Sequence, residues 1–230
     1  NANHLDEALS LNIIDQKAKE KDLADADMVI VSVPVDISPK VIQDILVKVG
    51  EKTLVLDTGS TKDHICKSLA SHPKRGQFLA THPIAGTEFS GPKAAFAKLY
   101  TDKTLIISEI EKTRFQLQQL AIGLFEKMQM KIRYMNPEDH DQHIAYVSHL
   151  SHISSFMLGK TVIQKEQDQR DIFDLAGSGF ASTVRLAKSH PQTWTSIFKD
   201  NKKEVLEALN HYIKNLEGFQ KALQNDEYQL

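Results

Sequence analysis

Five short apolar runs, at residues 28–33, 53–56, 77–81, 104–107 and 131–135, punctuate the first part of the chain, and no comparable run follows Asn136-Pro137. Between them lie helix-period stretches near residues 3–10, 39–48 and 112–128, the second with apolar positions at Val41, Ile42, Ile45, Leu46 and Val49. Near-continuous apolar strands alternating with helices predict an α/β domain, a largely parallel Rossmann-like sheet covered on both faces. From residue 137 onward the pattern is helical only, over 138–164, 181–189 and 191–223. Pro137 and Pro191 stand where helix N-termini tolerate proline, and Gly177-Ser178-Gly179 interrupts the chain between them. The expected organisation is therefore an α/β domain over residues 1–136 and an all-helical domain over 137–230. The last helix carries Val205, Leu206, Leu209, Tyr212, Ile213, Leu216, Phe219 and Leu223. That is more apolar surface than a thin helical domain buries alone, so a homodimer through the C-terminal helices is expected.

With 230 residues, 41% of them hydrophobic, the chain can bury a substantial core. Lys plus Arg (28) nearly balance Asp plus Glu (30), with no basic stripe, which argues against nucleic acid or an anionic membrane as partner and for a small-molecule ligand. A single cysteine, Cys66, excludes an internal disulfide framework and a multi-thiolate metal site, and it suits a cytoplasmic protein. No segment reads as a membrane span or a secretion signal.

Residues 82–91, His-Pro-Ile-Ala-Gly-Thr-Glu-Phe-Ser-Gly, set a histidine, a carboxylate and two glycines directly behind the third apolar run. In an open α/β sheet, ligands bind outside the carboxyl ends of the strands, so His82 is placed to face a ligand. Its ordinary pKa of about 6.5 suits proton exchange at neutral pH. The same residues also describe a plain turn, with His82 solvated or capping the next helix. Ser60, in Asp57-Thr58-Gly59-Ser60-Thr61-Lys62, follows the second strand in a loop suited to a cofactor or substrate, and it equally suits a helix N-cap. Further on, Ser148 and His152 lie four residues apart and share a helix face, with His149 outside that register. His140, His143, His149 and His152, with Asp139 and Asp141, crowd one region. No spacing among them matches the His-Glu-x-x-His pattern, and no metal is expected. Arg185 sits in an otherwise apolar helical stretch, where a buried guanidinium needs an anionic partner, either internal or a substrate carboxylate. Trp194, the sole tryptophan, reads as core, interface or pocket wall.

Taken in order, these segments resemble the prephenate dehydrogenase family of tyrosine biosynthesis, across nearly the whole chain. The resemblance rests on Val-Pro-Val-Asp at 33–36, Asp-x-Gly-Ser-x-Lys at 57–62, His-Pro-Ile-Ala-Gly-Thr-Glu-x-Ser-Gly at 82–91, Ser-His-Leu-x-His at 148–152 and Gly-Phe-x-x-x-x-Arg at 179–185 followed by Trp194. It implies a dinucleotide-binding domain joined to a helical dimerisation domain, NAD as cofactor with NADP not excluded, and prephenate as substrate. It implies further that His82 accepts the ring-hydroxyl proton while hydride leaves the same carbon, and that Ser60 aligns that hydroxyl. Arg185 would grip a substrate carboxylate, His152 and Ser148 would line the pocket, Glu88 would stand near its mouth, and Trp194 would belong to the pocket region. By the same resemblance, Val33, Pro34, Val35, Gly59 and Ser60 would be the cofactor-facing positions.

Two departures accompany the resemblance. The family's first strand and its Gly-x-Gly-x-x-Gly phosphate loop do not occur here, so an N-terminal part of the dinucleotide domain is expected to precede these residues in the natural protein. Ser178 stands where relatives often carry glycine. The motifs do not separate prephenate from arogenate as substrate. A hydroxyacid dehydrogenase of the 6-phosphogluconate type would need a helical-domain lysine, for which Lys160 is a poor candidate. A non-catalytic sensor of aromatic metabolites is the alternative of a different class.

Overall fold

The computed structural model describes residues 2–87, 89, 91–168 and 171–228. The chain divides into two compact units, Asn1–His140 with Ser189–Asp200, and Asp141–Lys188 with Asn201–Leu230. The division falls inside a helix that starts at Pro137, and the 189–200 segment groups with the first unit rather than with the helices on either side of it.

In the first unit, α1 (Ala2–Ser10) precedes β1 (Met28–Val31), α2 (Ser38–Lys48), β2 (Leu54–Asp57), α3 (Asp63–Leu69), β3 (Phe78–Pro83), β4 (Thr104–Ser108), α4 (Phe115–Lys127) and β5 (Lys131–Tyr134). The described strands form one five-stranded sheet in the order β1-β2-β3-β4-β5. β1, β2 and β3 are parallel, and so are β4 and β5, but β3 and β4 run antiparallel, with His82 opposite Ile106 and Pro83 opposite Leu105. The sheet is thus parallel-dominated, as expected, with one reversal that apolar patterning does not disclose.

Side chains alternate across each strand, and here both faces are covered. Val55 of β2 and Phe78 and Ala80 of β3 pack with Ile42 and Leu46 of α2 and Ile65, Cys66 and Leu69 of α3. On the other face Leu54, Leu56 and Leu79 join Leu105, Ile107 and the α4 residues Leu117, Ala121 and Phe125. Leu46, Leu54, Leu69, Leu79 and Leu105 are wholly buried, each contributing about 1.5–3 kcal/mol relative to exposure. Where β3 starts, the buried Arg75 donates to the Phe78 carbonyl at 2.8 Å and to Glu109, just past β4, at 2.9 Å.

The second unit is helical. The α5 helix (Pro137–Ile144) runs through a π-helical turn at Ala145–His149 into α6 (Leu150–Asp168). The expected 181–189 helix is instead α7 (Ser178–Thr183) and a separate 3-10 turn at Arg185–Lys188, with Gly177 as N-cap, so Ser178 and Gly179 begin the helix rather than break the chain before it. The expected helix over 191–223 is two, α8 (Pro191–Asp200) in the first unit and α9 (Lys202–Gln224) in the second. The break has a local cause. The buried Asn201 amide donates to the Asp141 carbonyl at 2.7 Å and to His149 Nδ1 at 3.3 Å, contacts that a residue in mid-helix facing solvent would forgo. Among the described residues no helix is long and apolar enough to cross a membrane.

Cys66, on α3, is buried, and burial pushes its thiol up to about 12. Native protein should therefore resist thiol alkylation at neutral pH and react only on unfolding, because the thiolate is the nucleophile. Rapid labelling under native conditions would show that α3 opens from the sheet.

Candidate active site

Because β1, β2 and β3 are parallel, their carboxyl ends lie along one edge of the sheet, and the residues singled out in the first unit gather there. Val33, Pro34 and Val35 follow β1, Gly59 and Ser60 follow β2, and His82 is the penultimate residue of β3. The two loops are stitched together: Thr58 N–H donates to the Val31 carbonyl at 3.1 Å, and the Ser32 and Thr58 hydroxyls are 2.9 Å apart. Ser60 is half-buried and does not cap α3, which begins at Asp63 with Lys62 in the N-cap position and no side-chain cap.

Gly59 lies against this edge so closely that a Cβ there would meet Asp57 Oδ2 at 2.9 Å and Val35 Cγ1 at 3.2 Å. Under it the Asp57 carboxylate is wholly buried. Oδ2 accepts from the Gly59 N–H at 2.9 Å and from the Lys62 ammonium, itself wholly buried, while Oδ1 accepts from the Thr81 N–H at 3.0 Å. The Thr81 hydroxyl donates to the Asp57 carbonyl.

His82 is 8% exposed, and its Nδ1 lies 2.9 Å from Nε2 of His140, the rings meeting edge to face at 5.1 Å between centroids. Only one of these two nitrogens can carry the shared hydrogen. The contact therefore constrains the tautomers of both rings and leaves acid–base work on His82 to Nε2. His140, weighed from sequence only among metal-ligand candidates, is instead the histidine's partner. Asp57 and Lys62 also went unrecognised as more than parts of a motif. The sequence signal that could have found them is a carboxylate ending an apolar strand with a lysine five residues on, at the turn into the next helix. Among the described residues, no group of three or more His, Cys, Asp or Glu side chains is arranged to hold a metal.

Trp194 stands on α8, half-buried, with its ring 5.5 Å from Phe198. The helix is tied beside Ser60, because Asp200 at its end accepts from the Thr61 hydroxyl at 2.6 Å and contacts His64 Nδ1 at 2.6 Å.

In the second unit Ser148 falls within the π turn, and His152 Nδ1 lies 3.0 Å from the Ser148 carbonyl, so the pair's link runs through backbone rather than through the serine hydroxyl. Arg185 is exposed, contrary to the expected burial. Its helix ends at Thr183, and the following turn carries the side chain out of the apolar face. It acts on His152 nonetheless. Burial depresses the His152 pKa first, the hydrogen bond to Ser148 opposes that, and the Arg185 charge lowers it again. Glu88 lies outside the described residues. A depression of about 410 Å³ lined by Ile107, Glu109, Lys112, Tyr134 and Asn136 opens at the carboxyl ends of β4 and β5, the opposite edge of the sheet from His82, and takes no part in this constellation.

A parallel-dominated sheet with a buried histidine at its strand ends, followed by an all-helical unit, is the architecture of a Rossmann-like oxidoreductase with an added helical domain. The sequence narrows the class: the profile of "Prephenate dehydrogenase, nucleotide-binding domain" matches residues 1–134, and that of "Prephenate dehydrogenase, dimerization domain" matches residues 136–229. The chain belongs to the prephenate dehydrogenase family. It is 30% identical to cyclohexadienyl dehydrogenase of Zymomonas mobilis over 95% of this chain and 75% of that protein. With prephenate dehydrogenase of Bacillus subtilis the identity is 26%, over 96% of this chain and 60% of that one. Among solved structures, Aquifex aeolicus prephenate dehydrogenase in complex with hydroxyphenyl propionate and NAD+ superposes with a TM-score of 0.88 at 31% identity, covering 98% of this chain and 80% of that chain.

The depressed His152 pKa has a consequence for stability. As pH falls, the unfolded chain takes up this proton before the folded one does, so the folded state loses stability below the ordinary histidine value. The thermal midpoint of the natural chain should therefore fall more steeply between neutrality and about pH 5 than that of His152→Gln. Parallel curves would show that the ring is not depressed.

Proposed function

We propose that this chain is the prephenate dehydrogenase its family membership indicates, converting prephenate to 4-hydroxyphenylpyruvate by oxidative decarboxylation with NAD+. The observation that carries the reading is the buried His82–His140 pair at the carboxyl end of β3, on the same sheet edge as Ser60 and the 33–35 loop. The residues at that edge fit a dinucleotide. Val33, Pro34 and Val35 give a mostly apolar wall for a flat ring, Gly59 keeps the backbone low, and Ser60 supplies a hydroxyl. Bound NAD+ supplies the hydride acceptor.

The chain's own residues supply the proton chemistry and the grip on substrate. His82 Nδ1–H donates to His140 Nε2, which puts the basic lone pair of His82 on Nε2 to accept the ring-hydroxyl proton as the C–O bond becomes a carbonyl and hydride leaves that carbon. The ring carboxylate then departs as CO2, and its bonding electrons restore the aromatic ring. Ser60 holds the hydroxyl in line. Arg185 pairs with a substrate carboxylate, with His152, kept neutral near pH 7 by its depressed pKa, beside it. Ser148, Glu88 and Trp194 are assigned to the pocket region.

The enzyme works as a homodimer. Supporting this, Leu206, Ile213, Leu216, Phe219 and Leu223 of α9 are each 43–49% exposed along one long helix, in the part of the chain whose profile is named for dimerization. With a single, buried cysteine and hence no internal disulfide, it suits the cytoplasm.

The test is NADH formation by the full-length natural protein with prephenate and NAD+, with arogenate and NADP+ in parallel. Turnover of prephenate is expected, and turnover of neither substrate would overturn the reading. His82→Asn should lower kcat by roughly two to four orders of magnitude with little change in KM, and full activity at neutral pH would remove His82 from the proton transfer. Arg185→Ala should raise KM for prephenate about ten- to hundredfold, the scale of a charge-assisted hydrogen bond. An unchanged KM would place the carboxylate elsewhere.

A further inference from the structure

The Asp-x-Gly-Ser-x-Lys segment contains two ionisable side chains that the chemistry above does not use, and both are wholly buried. Burying an ammonium and a carboxylate is costly unless each is paired and further hydrogen-bonded. The carboxylate's partners show what the pair does. Oδ2 receives the N–H of Gly59, the residue before Ser60, and Oδ1 receives the N–H of Thr81, the residue before His82. Two segments more than twenty positions apart in sequence are thus hung on the two oxygens of one carboxylate, each one peptide away from a side chain assigned to the reaction. Lys62 neutralises the anion from the far end of the same loop, so the loop closes on itself around Oδ2. Gly59 completes the joint, because the space a Cβ would need is already taken by that oxygen.

We infer that Asp57, held by Lys62, is a positioning residue that fixes Ser60 and His82 in register with each other, and that Lys62 contributes to turnover only through it. The inference rests on the roles given to Ser60 and His82 under the proposed function. An uncharged amide at position 57 offers one acceptor oxygen where the carboxylate offers two, so Asp57→Asn must release one of the two backbone segments. With the lysine kept, the variant would also strand a buried charge. The informative protein is therefore Asp57→Ala/Lys62→Met, which removes both acceptor oxygens and both charges together.

The experiment compares the full-length double variant with the natural protein by amide hydrogen exchange and by steady-state kinetics. Exchange should accelerate at least about tenfold in both 57–62 and 78–83 while β5 is unchanged. The kcat for prephenate should fall about a hundredfold, with KM for substrate and NAD+ each within about threefold, the signature of misplacement rather than lost binding. Loosening of only one segment, of neither, or a raised KM with kcat preserved would overturn the inference. If the double variant does not unfold cooperatively, Gly59→Ala keeps both charges and crowds the joint, and it must accelerate exchange in both 57–62 and 78–83. A natural protein without prephenate turnover would strike the proposed function, leaving the exchange result to decide whether Asp57 couples the two segments.

Discussion

A carboxylate and an ammonium with no access to water anchor the functional half of this molecule. Removing either partner of such a pair costs about 3–5 kcal/mol, because the other is left charged in an apolar surrounding. The Asp57–Lys62 pair sits at the end of β2, the strand that touches both β1 and β3, and its hydrogen bonds brace β2 against β3 where their loops emerge. The apolar packing of α2, α3 and α4 holds the sheet together but is indifferent to loop conformation at its rim. What makes that rim a defined surface is a handful of directional contacts on one buried anion. The Thr58 link to β1 and the Thr61 contact with Asp200 extend the same brace outward.

The second unit relies on the same device in a milder form. One neutral amide, that of Asn201, takes the place of an ion pair, reaching a helix carbonyl and a buried imidazole. Neutral groups carry a smaller desolvation penalty than charges, which suits a small unit with little apolar core to offset it.

Much of this was legible in the sequence. Each apolar run became a strand within a residue or two of its expected bounds, since β-branched residues flanked by Gly, Pro and Asp leave few alternatives. His82 stands at a strand end, and the motifs named the family that the profiles match. Contacts made across the fold were not legible. His140 is 58 positions from His82, and Thr81 is 24 from Asp57, so no local pattern announces either bond. The reversal between β3 and β4 leaves no trace in strand composition. Helix ends misled as well. Apolar spacing continues past Thr183 and past Asp200, but periodicity does not register a side chain that captures a distant carbonyl or a turn that swings Arg185 outward.

The reversal between β3 and β4 separates what evolution can vary from what it must keep. The α2 and α4 crossovers carry the chain from one sheet edge to the other, so changing their length disturbs strand registers on both sides. Residues 84–103 leave β3 and enter β4 at the same edge, the one bearing His82. Ile84, Asp102 and Lys103 bond residues at β4 and at or just before β5, but the other described residues of that connection lie outside the sheet, so a change in its length there need not move a strand. In this family, innovation in what the site admits should accumulate there as insertions and deletions, while the carboxylate beneath stays fixed.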